Sequence, residues 1–148
     1  MSTNQAASVT RCNCHALRQA MRRVTQLYDH ALAPAGLRVT QFSLLARLHE
    51  LGPMTMKGLA EALVMDRATL GHNLRPLEAE GLVVVAVGKD RRSRLVTLTP
   101  EGSQRFQAAR PRWRLAQKSF ETTFGETESA ELRHTLARVA RADFELPV

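Results

Sequence analysis

The chain has 148 residues, 44% of them apolar and 24% charged, enough for one domain with a real core and too apolar for general disorder. A net charge of +7 and a pI near 10.7 point to an anionic partner, nucleic acid ahead of an anionic membrane surface. No apolar run approaches the roughly 18 residues that span a bilayer, the start MSTNQAASVTRCNC has no secretory core, and two close cysteines make no disulfide framework, so a reducing cytoplasm is expected.

Residues 1–10 are small and polar and read as a flexible N-terminus. Leu17, Ala20, Met21, Val24, Leu27, Tyr28, Ala31 and Leu32 then recur at spacings of three and four, one face of a helix that Pro34 and Gly36 end. A second helix is predicted after Thr40 as N-cap, with Phe42, Leu45 and Leu48 inward and a stop at Leu51-Gly52-Pro53. Thr55 caps a short third helix carrying Leu59, Ala60 and Leu63. After a tight connection at Val64 and Met65, Asp66 caps a fourth helix running to about Glu80 and stopped by Gly81.

The period then changes. Residues 82–87 (LVVVAV) and 94–99 (RLVTLT) are rich in β-branched residues and predict an antiparallel hairpin with a long tip. Thr99 and Pro100 open a helix to about Phe124, with Pro111 expected to kink it and Gly125 to break it. A last helix spans roughly 127–143. Two helices joined by a short turn and followed at once by a hairpin describe a winged helix-turn-helix in a mainly α chain.

On the fourth helix Leu70, Leu74 and Leu77 share the core side. The opposite side carries Ala68, His72 and Arg75, with Arg67, Thr69 and Gly71 beside them. Small residues interleaved with hydrogen-bonding ones suit a helix lying in the major groove of DNA. Any amphipathic helix also has a solvated face, but the preceding short helix and the basic hairpin favour the DNA reading. Pro76 removes the backbone bond to the His72 carbonyl, and a kink is expected there. The hairpin tip crowds Lys89, Arg91, Arg92 and Arg94 around the lone acid Asp90. Arginine suits the narrow, negative minor groove, and Asp90 is placed to hold the Arg92 guanidinium before DNA arrives.

The segment from LRVTQF to LTPEG, residues 37–102, closely resembles the MarR family of winged-helix transcription regulators. The carrying motif is Asp90-Arg91-Arg92 followed by Leu98-Thr99 and Gly102, with LEAEGLV at 77–83 resembling the end of the recognition helix and start of the wing. The resemblance covers about residues 15–143. It implies a homodimer in which the first and last two helices interlock (11–35 and 100–148) and two winged-helix lobes (36–99) read a palindromic double-stranded operator. It further implies Arg92 in the minor groove, Thr69, Gly71, His72 and Arg75 in or beside the major groove, and release, in many members, by a small and often phenolic effector. Gly71 and His72 depart from the family's usual mid-helix hydroxyl residue and arginine, so base preference does not carry over. Apart from the family, long apolar-faced helices at both ends of so short a chain predict a dimer interface.

Cys12, Cys14 and His15 are the remaining candidates: two small interface residues, a reactive thiolate near a helix N-terminus, or part of a soft-metal site. No metal site or cofactor is assigned. With no phosphate-binding loop, paired His-x-x-x-His or nucleophile elbow, the chain does not read as an enzyme. The expected function is therefore a dimeric DNA-binding regulator, most naturally a repressor released by a small ligand. The alternatives are redox or metal response through Cys12 and Cys14, or a dimeric ligand-binding module that does not bind DNA.

Overall fold

The computed structural model describes residues 9–147. The flexible segment expected at 1–10 lies, through residue 8, outside the described residues. Helix α1 (Asn13–Leu32) runs into a 3₁₀ turn, Ala33–Ala35, which Gly36 ends with φ of +71°. Helix α2 follows (Val39–Leu51), then strand β1 (Met54–Thr55), helices α3 (Met56–Leu63) and α4 (Arg67–Ala79), strands β2 (Val83–Val87) and β3 (Arg94–Leu98), and helices α5 (Pro100–Phe124) and α6 (Glu126–Arg141). None of these helices is long and apolar enough to cross a membrane.

The architecture is the mainly helical one expected, with two local corrections. Helix α2 begins at Val39, so Thr40 lies inside its first turn and is not its cap. The free N–H groups there have other acceptors: Asp29 Oδ1, from α1, takes Val39 N–H at 2.8 Å, and Gln41 Oε1 takes Arg38 N–H at 2.9 Å. A helix start capped by a carboxylate ten residues upstream leaves no local signature, whereas Thr55, Asp66 and Thr99 cap through their own side chains as expected. The second correction is the sheet. It has three strands in the order β1-β3-β2, all antiparallel. Met54 pairs with Val96 and Thr55 with Leu95, while the hairpin register runs from Val83 opposite Leu98 to Val87 opposite Arg94. Two residues are too few to show alternation, so β1 was invisible to pattern.

The core is built almost wholly by the segment from Leu32 to Phe106. Leu44 and Leu45 of α2, Leu59 of α3, Leu70, Leu74 and Leu77 of α4, and Val83 and Val96 of the sheet are fully or almost fully buried. At roughly 2 kcal/mol for each buried leucine, this cluster dominates what holds the lobe together. Phe42 stacks on Trp113, with ring centroids 5.9 Å apart, and tilts against Phe106, which seats α5 on α2. Helix α5 is continuous through Pro111.

The remaining helices meet through polar contacts. The Tyr28 hydroxyl of α1 donates to Gln117 of α5. Gln117 donates to Glu121 at 2.9 Å, and Arg133 of α6 reaches the same carboxylate at 3.4 Å. Burial, then the neighbouring Glu121 charge, pushes the Tyr28 phenol above its ordinary pKa, so it stays a protonated donor at neutral pH. Leu32 alone is buried on α1 and Ser129 alone on α6. Both helices thus keep most of their apolar residues uncovered.

Candidate nucleic-acid interface

Two exposed surfaces carry the candidate residues, and the fold explains how each is held. Helix α4 is anchored by Leu70, Leu74 and Leu77, so the rest of its surface faces outward by helical geometry. Arg67, Ala68, Thr69, His72 and Arg75 are all exposed there. Gly71 is half-buried, and a Cβ built on it meets nothing within 4 Å. Its missing side chain leaves a notch that opens away from the protein, as close approach by another molecule requires. Pro76 lies in the last turn and the helix continues beyond it to Ala79, so the proline costs the His72 carbonyl its partner without ending the helix.

The start of α4 is more organised than its sequence indicates. The α3–α4 connection turns through Val64, at φ of +52° the one non-glycine residue with positive φ among those described. Asp66 then caps the helix. Its Oδ1 accepts from Thr69 N–H at 2.7 Å and its Oδ2 accepts from the Thr69 hydroxyl at 2.8 Å. These two bonds, the backbone one foremost, hold the Asp66 carboxyl below the usual carboxylate range. Sequence reasoning placed Asp66 as a cap and overlooked its second oxygen. The available signal was a hydroxyl residue at the third helical position.

The second surface is the β2–β3 tip. Lys89, Asp90, Arg91, Arg92 and Arg94 are all exposed. Gly88 N–H reaches the Ser93 carbonyl at 3.0 Å, and both the backbone N–H and the hydroxyl of Ser93 return to the Asp90 carbonyl at 2.9 Å. The Asp90 carboxylate accepts from the backbone N–H of Arg92 at 3.1 Å. The expected contact with the Arg92 guanidinium is not made; among the described residues the ion pairs lie elsewhere. The acid therefore acts on the course of the backbone, fixing where Arg92 leaves the turn and leaving its guanidinium available. Gly88 belongs to this device, because a Cβ there would sit 2.5 Å from Ser93 Oγ. Ser93 was absent from the sequence-based candidates.

The two surfaces are tied together. Thr99 caps α5 by accepting from Gly102 N–H at 3.0 Å while its own hydroxyl donates to the Gly81 carbonyl at the end of α4. Arg105 of α5 pairs with Glu80 at 3.2 Å. The tip and α4 are thereby linked through the junction of β3 with α5, and the two surfaces carry groups suited to phosphates and base edges.

Cys12 and Cys14 are free and exposed. Cys12 is the N-cap of α1, its sulfur accepting from His15 N–H at 3.4 Å. Among the described residues no three His, Cys, Asp or Glu side chains are grouped to hold a metal ion.

Residues 37–93 match the model of the MarR family. The HTH-type transcriptional repressor NicR, from Pseudomonas putida, is 30% identical over 129 residues, 86% of this chain and 80% of that protein. The solved structure of the Mycobacterium tuberculosis regulator MosR in complex with DNA superimposes with a TM-score of 0.81 at 36% identity, covering 88% of this chain and 95% of that one. The structure describing regulation of DNA binding of Bordetella bronchiseptica BpsR by 6-hydroxynicotinic acid gives a TM-score of 0.79 at 26% identity, covering 90% and 96%. With its helix order, wing and Leu-Thr-x-x-Gly junction accounted for, the chain belongs to the MarR family of winged-helix transcriptional regulators.

Proposed function

We propose that the protein is a homodimeric repressor that binds a palindromic duplex operator, with α4 in the major groove and the wing tip in the adjacent minor groove, and that a small aromatic ligand releases it. The observation that carries this reading is the common frame: the outward face of α4 and the Asp90–Ser93 tip are joined through β3 and Thr99. The relatives support it, one being named a repressor, one solved on DNA and one described with 6-hydroxynicotinic acid. Residues 11–35 and 100–148 form the dimerisation region in this reading. Leu17 and Met21 of α1, Leu115 and Phe124 of α5, and Leu136 and Val139 of α6 are large apolar side chains left exposed in the single chain. A two-fold arrangement covers the same face on both copies and places two α4 helices on two half-sites.

Arg92 is the proposed minor-groove probe, with Lys89, Arg91 and Arg94 supplying phosphate attraction. The test is a binding titration on the duplex from the gene's own promoter at several salt concentrations. Arg92→Ala should weaken operator binding by about 1–3 kcal/mol per half-site with an unchanged unfolding midpoint. Asp90→Ala should also weaken it, by roughly two- to tenfold, although the wing becomes more positive, because the arginine then has to be ordered on binding. Unchanged affinity in Arg92→Ala removes the minor-groove role, and tighter binding by Asp90→Ala removes the bracing role.

A further inference from the structure

The Asp66–Thr69 pair has a consequence for which bases are read, and it rests on the placement of α4 in the major groove. Both oxygens of Asp66 are occupied by one residue, through Thr69 N–H at 2.7 Å and the Thr69 hydroxyl at 2.8 Å. With its pKa lowered by those contacts, Asp66 is a carboxylate at neutral pH and has no proton to give. The Thr69 hydroxyl must therefore be the donor of the second bond, and its proton is turned toward the protein. What the exposed Thr69 side chain presents outward is an oxygen lone pair and a methyl group.

We propose that Asp66 is a specificity-determining positioning residue: by holding the Thr69 hydroxyl proton, it makes Thr69 a one-way acceptor that selects an amine-bearing base, adenine or cytosine, on the strand it faces. In the major groove adenine N6 and cytosine N4 are donors, whereas guanine O6 and N7 and thymine O4 are acceptors. An unconstrained threonine rotates its hydroxyl to suit either class. A constrained one meets guanine or thymine lone pair to lone pair. The side chain that chooses between the classes is thus one that caps the helix.

The test exchanges the acceptor for a donor in the same shape. In Asp66→Asn, the side-chain oxygen keeps the Thr69 N–H, asparagine being as good a cap as aspartate. The amide nitrogen takes the place of Oδ2 and donates to Thr69 Oγ1, which turns the hydroxyl proton outward. Binding-site selection is run on the full-length wild type, Asp66→Asn and Thr69→Val. The wild type should select adenine or cytosine at one position of each half-site. Asp66→Asn should shift that position toward guanine or thymine by roughly three- to tenfold and leave the others alone. Thr69→Val, which keeps the shape and lacks the hydroxyl, should lose the distinction there. An unchanged motif in Asp66→Asn overturns the proposal, as does an affinity rise spread evenly over all sequences from the lost negative charge. His72→Ala and Arg75→Ala are selected in parallel. If they alter the motif while Asp66→Asn does not, the hydroxyl argument alone fails; if they also leave it intact, the placement of α4 fails and the proposal with it.

Discussion

Replacing Gly102 by alanine is expected to destabilise the protein by about 2–3 kcal/mol and lower its thermal midpoint by roughly 5–12 °C. Gly102 is buried in the first turn of α5, and its backbone is ordinary helix, so the requirement is for space. A Cβ there would lie 2.0 Å from the Leu82 carbonyl oxygen and 2.7 Å from Leu98 Cδ1. That carbonyl already accepts Thr99 N–H at 3.1 Å, so it cannot retreat without disturbing the turn that joins α4, the sheet and α5. Val83 and Leu98 pair immediately beside it, and the strain therefore passes into the wing. Gly71→Ala is the contrast. Nothing lies within 4 Å of the added carbon, and alanine favours helix over glycine, so stability should rise by about 0.5–1 kcal/mol. Calorimetry on the two variants checks both signs. An unchanged midpoint in Gly102→Ala would falsify the packing account of the Leu-Thr-x-x-Gly motif.

On the proposed homodimeric reading, the double substitution Leu136→Glu, Val139→Glu is expected to give a folded monomer with roughly 10²- to 10⁴-fold lower affinity for a palindromic operator. Both residues are substantially exposed in the single chain, at 40% and 39%, and α6 buries only Ser129. The leucine-rich core of the lobe is remote from them in composition and contacts, so circular dichroism and the cooperative melt should survive. The affinity loss follows from linkage alone. Two joined lobes hold the second half-site at high effective concentration, and a monomer has no such advantage. Sedimentation equilibrium together with fluorescence anisotropy on full and half operators separates the effects. A variant that remains dimeric would show that the contact between copies lies on another face.

Much of this molecule is legible in its sequence. The leucine periods of α4, the change from helical spacing to β-branched runs at residue 82, and the caps Thr55, Asp66 and Thr99 are local signals, because the groups involved sit within a few residues of each other. What stayed hidden depends on partners distant in sequence. Asp29 reaches across to the start of α2, and β1 is recognisable as a strand only when Val96 and Leu95 lie beside it. The site shows the same division. Its residue types and outward face could be read from spacing. The division of labour inside Asp90, whose carboxylate meets a backbone N–H and not a guanidinium, required the turn itself. Thr69 is the subtler case: periodicity showed that it faces out, and only its bond to Asp66 showed which end of its hydroxyl does so.

The position of β3 as the middle strand has one more consequence. Its outer neighbour on one side, β1, leads without a break into α3, and its neighbour on the other side completes the wing. The lobe is therefore like a plug with two prongs, α4 and the Arg92 tip, carried by one continuous stretch of helix and sheet. On the proposed reading, a ligand that frees the DNA changes how far apart two such plugs stand, and leaves each one intact. Operators whose half-sites are moved apart by a base pair should then be refused as firmly as those with the wrong letters.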